Sequence, residues 1–190
     1  SKPYKQRSKR HRKMQKKIEI IISGLGGQGV VLAGQILGKA AIYDGKNAAQ
    51  TQSYGAEARG SMAKSEVIIS DSKIGFPVVR KCDVLIAMNQ EALNKHLKDL
   101  KEDGMLIVDS TYVKTIPETK AKVLKIPATE TAERTFGAKV YANMLMLGAL
   151  TKVTSVISKN SIEKAIEDTT AKNVANINKQ AYKKGEELIP

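Results

Sequence analysis

Apolar positions along this chain follow two different periods. Short continuous runs predict strands buried on both faces. They are Ile18 to Ile22, broken only by Glu19; Met62 to Ser70, with Val67, Ile68 and Ile69 together; Cys82 to Met88; Met105 to Val108; and Val123 to Ile126, closed by Pro127. Ala48 to Gln52 is a further, weaker strand. Val30, Val31, Ile36, Leu37, Ala40 and Ala41 recur instead at helical spacing and predict a helix over 30–43, ended by the turn Asp44-Gly45-Lys46. Asn89 caps the next helix, with Glu91 in its first turn. Gly75-Phe76-Pro77 and Asp103-Gly104 read as turns. From Ala138 onward only the helical period remains. Val140, Met144, Leu147, Leu150 and Val153 form one stripe, Asn160 or Ser161 caps a second helix, and a more polar third spans 173–187. The alternation predicts an α/β, Rossmann-like fold: a mostly parallel sheet flanked by helices, with an α-helical C-terminal layer.

Composition sets limits on this picture. A chain of 190 residues with 42% hydrophobic content supports one real core, built from aliphatic residues since there is no Trp. The net charge of +13 is unevenly spread. Residues 1–17 hold nine Lys/Arg and no acid, which leaves the body only mildly basic. We therefore expect a basic, disordered tail over 1–15 and a single domain over 16–190. A basic tail can neutralise nucleic-acid phosphates, but no aromatic-rich face accompanies it, so nucleic acid is a weak expectation. No apolar run approaches the roughly 20 residues that span a bilayer, and no apolar stretch follows the charged N-terminus. A cytoplasmic protein is the expectation. Cys82 is the only cysteine, which excludes an internal disulfide and any cluster held by the chain's own thiols.

The chemistry concentrates where the first strand meets the first helix. Gly24-x-Gly26-x-x-Gly29, with Gly27 and Gln28 inside it, is a glycine turn opening a helix. Such a turn lets the backbone approach a ligand, and the helix N-terminus offers N–H groups to an anion. A nicotinamide dinucleotide site needs an acid at the end of the second strand. Here that stretch reads Ala48-Ala49-Gln50-Thr51-Gln52-Ser53, without a carboxylate. The Lys-Ser/Thr ending of a triphosphate loop is missing too. A second loop, Ser53-Tyr54-Gly55-Ala56-Glu57-Ala58-Arg59-Gly60, is expected at the same sheet edge. There Arg59 would face an anion and Tyr54 a flat ring or a partner. The bland alternatives are glycines that only ease packing and a Glu57–Arg59 surface turn. The candidate binding residues are Gly24, Gly26, Gly27, Gln28, Gly29, Ser53, Tyr54 and Arg59. No catalytic constellation is legible: His11 is in the tail, His96 is expected on an exposed helix face, Cys82 opens a buried strand, and Asp109 stands alone. No metal site is expected.

Three segments together are far more specific than any one: Ile22-Ser23-Gly24-Leu25-Gly26-Gly27-Gln28-Gly29-Val30, the Ser53–Gly60 loop, and Ala142-Asn143-Met144-Leu145-Met146-Leu147-Gly148-Ala149. Over about residues 16–188 the chain resembles the gamma subunit of 2-oxoacid:ferredoxin (acceptor) oxidoreductases, most of all the 2-oxoglutarate enzymes. It departs from the family pattern at Ala56, where a Pro is usual, and at Ser61, where a Gly is usual. The resemblance implies a non-catalytic subunit of a complex that converts a 2-oxoacid to an acyl-CoA and reduces ferredoxin or flavodoxin. It implies alpha, beta and delta partner subunits, with thiamine diphosphate, Mg and iron–sulfur clusters on those partners. The subunit itself would help bind coenzyme A and hold subunits together, and could form a homodimer when isolated. The alternative is a stand-alone nucleotide-binding Rossmann-like protein.

Overall fold

The computed structural model describes residues 16–55 and 61–190. Among the described residues six strands form one sheet: β1 (Lys17–Leu25), β2 (Asn47–Tyr54), β3 (Met62–Ser70), β4 (Cys82–Ala87), β5 (Leu100–Asp109) and β6 (Lys122–Ile126). Their order across the sheet is β2-β3-β1-β4-β5-β6. β1, β4, β5 and β6 are parallel. β3 runs against both of its neighbours, so it is the one reversed strand in an otherwise parallel sheet. The mostly parallel expectation holds, but the place of β2 differs from a doubly wound order. A parallel crossover needs a dozen or more residues. Residues 55–61 are too few, so β2 and β3 close as a hairpin and β3 takes the place beside β1.

The central strands are apolar because both faces are covered. Ile20 and Ile22 point to one face and Ile21 to the other, all three at most 1% exposed. On the first face lie α1 (Val30–Tyr43), α3 (Ala128–Phe136), α4 (Ala142–Thr154), α5 (Lys159–Thr169) and α6 (Lys172–Glu187). The second face carries a thinner layer. It consists of α2 (Gln90–His96) and the irregular segments 71–81 and 110–121, which bury Val79, Val113 and Ala121.

Local chemistry explains where the elements differ from the pattern. β5 starts at Leu100 and runs straight through Asp103-Gly104, which is therefore no turn. The register against β4 slips between Cys82 and Val84. A Cβ on Gly104 would come within 2.9 Å of the Asp83 carbonyl, so glycine permits the continuation. α3 carries too few apolar residues to show a stripe in the sequence. It is anchored instead by buried Asp109, which accepts from the Thr129 hydroxyl at 2.5 Å and backbone N–H at 3.1 Å. Ser158, not Asn160 or Ser161, caps α5 by accepting from the Ser161 N–H at 3.2 Å. Both serine hydroxyls donate to Asp44 at the end of α1. The Ala142–Thr154 helix is buried almost all round, while Val140 sits in the exposed turn before it. α4 and α6 cross at two glycines. A Cβ on Gly148 would collide with the Tyr182 carbonyl, and one on Gly185 with the Leu145 carbonyl. Among the described residues no helix is long and apolar enough to cross a membrane.

Candidate functional site

The glycine turn is held in place by its own side chains and by three other elements. Gly27 and Gly29 have φ of +89° and +74°, a region that penalises any Cβ. Gly24 meets a different demand, since a Cβ there would approach Gln28 Oε1 at 2.6 Å and the Met88 Cβ at 3.0 Å. The Gln28 amide is why. Its Oε1 accepts from the Leu25 N–H at 2.7 Å and its Nε2 donates to the Met88 carbonyl at 3.3 Å, stapling the turn to the end of β4. The Gly26 N–H donates to the Ser61 carbonyl at 2.9 Å, which ties the turn to the start of β3. Buried Asn143 donates from Nδ2 to the Gly29 carbonyl at 3.2 Å and accepts from the Met144 N–H at 2.7 Å.

These bonds use the Gly26 N–H and the Gln28 side-chain amide for the fold, while Gly27 has open space beside it. The helix begins on Gly29 with no side-chain cap and no acid in its first turn, so its dipole is uncompensated there. In front of it lies a cavity of about 360 Å3. Leu25, Gly26, Gly27 and Gln28 form one wall, Met88 and Asn89 another, and Tyr112, Thr129 and Lys139 close it. Lys139 supplies the positive charge, partly engaged by Glu133 at 3.6 Å, with both side chains well exposed. Lys139, Tyr112 and Thr129 were not visible as site residues in the sequence. They come from turns and helix starts beyond β5 and β6, brought over by the parallel order alone. Asn89 was visible as a cap, and it does cap α2 by accepting from the Ala92 N–H at 2.8 Å.

The predicted residues do not all converge. Gly26, Gly27 and Gln28 line the main cavity. Ser53 and Tyr54 belong to the end of β2, not to a loop. They line a separate cleft of about 100 Å3 with Lys64, Lys95 and His96. Arg59, with the rest of 56–60, lies outside the described residues, as does the tail over 1–15. His96 is buried, contrary to expectation, because α2 ends in a tight turn that folds its ring inward. Its Nδ1 lies 3.3 Å from Asp99. Burial lowers its pKa, Asp99 opposes this, and Lys64 and Lys95 add to the lowering. The Cys82 thiol is pushed up to about 12 by burial, which makes it a packing group rather than a nucleophile. Among the described residues no group of three His, Cys, Asp or Glu could hold a metal ion.

The model of the pyruvate ferredoxin/flavodoxin oxidoreductase family matches residues 19–188. The chain belongs to this family. It is 49% identical over 184 residues to the 2-oxoglutarate synthase subunit KorC of Methanocaldococcus jannaschii, covering 95% of this chain and 97% of that one. It is 36% identical to the pyruvate synthase subunit PorC of the same organism, over 80% of this chain and 85% of the other. Among solved structures, the gamma subunit of a keto/oxoacid ferredoxin oxidoreductase from Geobacter sulfurreducens is 44% identical. The two superpose with a TM-score of 0.80 over 90% of this chain and 96% of that one. The 2-oxoglutarate:ferredoxin oxidoreductase of Magnetococcus marinus was solved with 2-oxoglutarate, coenzyme A and succinyl-CoA bound. It matches 91% of this chain with a TM-score of 0.82 at 25% identity, over 31% of its own length. These family members are subunits or portions of 2-oxoacid oxidoreductases, not free-standing dinucleotide binders. The missing ribose acid after the second strand agrees with that.

Proposed function

We propose that this chain is the gamma subunit of a 2-oxoglutarate:ferredoxin oxidoreductase. The complex would convert 2-oxoglutarate and coenzyme A to succinyl-CoA and carbon dioxide, passing two electrons to ferredoxin or flavodoxin. The observation that carries the substrate is the 49% identity, over nearly the whole of both chains, to a 2-oxoglutarate synthase subunit. Alpha, beta and delta subunits would supply thiamine diphosphate, Mg and the iron–sulfur clusters. This chain offers no catalytic constellation among its described residues and would act by binding and positioning.

Its own share would be a phosphate group of coenzyme A. Gly27 and Gln28, just before the uncapped start of α1, line a cavity that Lys139 closes, which supports this. The cavity takes only part of so large a molecule, so another subunit would complete the site. Gly24, Gly26 and Gln28 would shape the turn, and Arg59 would add a counter-charge, whereas Ser53 and Tyr54 line a separate cleft and have no share in this cavity. Lys139→Ala in the reconstituted complex tests this reading. An exposed cation on a phosphate is worth about 1 kcal/mol. The Michaelis constant for coenzyme A should therefore rise roughly fivefold, with that for 2-oxoglutarate unchanged. An unaltered coenzyme A constant for both Lys139→Ala and Arg59→Ala would remove the ligand from this corner.

A further inference from the structure

The cavity that Lys139 closes is larger and more apolar than a phosphate alone requires. Its volume is about 360 Å3, and Leu25, Met88, Val140 and Ala142 form much of its wall. Tyr112 and Val140 border it as large side chains left 39% and 43% exposed. The turn after β5 holds Tyr112 there, its N–H donating to the Asp109 carbonyl at 3.1 Å. Apolar walls with a few fixed polar groups are what a largely uncharged ligand portion requires.

Two buried polar side chains in this wall have their hydrogen-bonding roles already assigned. Asn89 is 8% exposed. Its Oδ1 accepts from the Ala92 N–H at 2.8 Å, which fixes the amide's orientation. Nδ2 is left with the Met62 sulfur at 4.0 Å. A thioether is a weak acceptor and Nδ2 carries two hydrogens, so Asn89 has a donor to spare. Thr129 is 3% exposed. Its hydroxyl hydrogen goes to Asp109 Oδ2 at 2.5 Å. Asp109 is itself fixed by the Thr111 and Thr129 N–H groups, each at 3.1 Å. With its hydrogen committed, Thr129 Oγ1 can only accept. One buried donor, one buried acceptor and a flat aromatic face thus border the same cavity.

We propose that this cavity reads the adenine ring of coenzyme A, with Asn89 and Thr129 as its specificity residues. The inference rests on the reading of this corner as part of a coenzyme A site. Adenine sets an exocyclic amine beside an acceptor ring nitrogen, whereas a 6-keto purine sets an oxygen in the amine's place. The amine donates to Thr129 Oγ1, the ring nitrogen accepts from Asn89 Nδ2, and the ring lies on Tyr112. A keto oxygen would instead face the lone pairs of Thr129, and a site with its buried groups left unpaired rejects such an analogue. The amides of the pantetheine arm also offer a donor and an acceptor, but they have no ring to lay on Tyr112.

The test is the reconstituted complex assayed with coenzyme A and with its hypoxanthine analogue, which keeps every phosphate and the thiol arm. The wild-type complex should show a Michaelis constant about tenfold higher for the analogue. Thr129→Val removes the acceptor and should bring the two constants together, whereas Thr129→Ser, which keeps the hydroxyl, should preserve the difference. Asn89→Ser retains a helix cap but loses the donor. It should raise the coenzyme A constant about tenfold with that for 2-oxoglutarate unchanged, and it leaves α3 untouched if Thr129→Val fails to fold. Equal constants for the two thiols in the wild-type complex overturn the proposal. So does a difference that survives Thr129→Val, or a coenzyme A constant indifferent to Asn89→Ser. In each of these cases a coenzyme A constant that still responds to Lys139→Ala would leave the phosphate reading standing.

Discussion

Gly29 stands where three requirements meet. Its φ of +74° lies in the left-handed region, its carbonyl accepts from Asn143, and a Cβ would collide with that same amide. Gly45 shares the φ of +74° but has open space around it. The conformational term alone costs about 1–2 kcal/mol. Gly45→Ala should show that much in denaturant unfolding. Gly29→Ala should lose about 2 kcal/mol more, because Asn143 must leave a buried hydrogen bond. Equal losses at the two sites would mean that Asn143 yields without cost. His96 makes a prediction about pH. The folded state holds the imidazole pKa below its ordinary 6.5, first through burial. The unfolded chain therefore binds a proton more readily, and stability is retained above the ordinary value and lost as pH falls through it. The melting temperature should drop between about pH 7 and pH 5. His96→Gln should flatten that part of the curve. The sequence hid this residue because Lys95 and Lys98 around it read as an exposed face. The turn after α2 reverses that.

At the level of elements, most strands and helices were legible because buried parallel strands are apolar throughout, α1 carries apolar residues at helical spacing, and α4 is apolar on nearly every side. What escaped was fixed by contacts rather than by periodicity. α3 depends on Asp109, nineteen or more positions upstream, for its first turn. The α5 cap depends on Asp44 from the end of α1. Gly104 looked like a turn because its real purpose, close approach to the Asp83 carbonyl across the β4–β5 pair, is not local. The α4–α6 crossing is the same kind of feature. Gly148 and Gly185 let two backbones approach, and a methyl group on either forces the helices apart. Gly148→Ala should lower the unfolding free energy by roughly 3 kcal/mol, at the upper range for overpacking. Thermal unfolding with an α6 fluorescence probe would check it. An intact midpoint would mean that α6 shifts freely over α4.

For the molecule as a whole, half of the cavity proposed as the site was legible. The glycine turn and its missing ribose acid could be read directly, since they lie within one strand–turn–helix unit. Lys139, Tyr112 and Thr129 could not, because only the order of the parallel strands brings them to that edge. The hairpin that reverses β3 moved Ser53 and Tyr54 away to their own cleft. It also set the reversed strand against the glycine turn, through Gly26 and Ser61. That contact is one of three fastenings, with Gln28 on the Met88 carbonyl and Asn143 on the Gly29 carbonyl. A loop tied at both ends and the middle has little conformational entropy left to surrender. The anion proposed for this corner would meet amides already aimed, and none of its binding energy would be diverted into ordering the backbone.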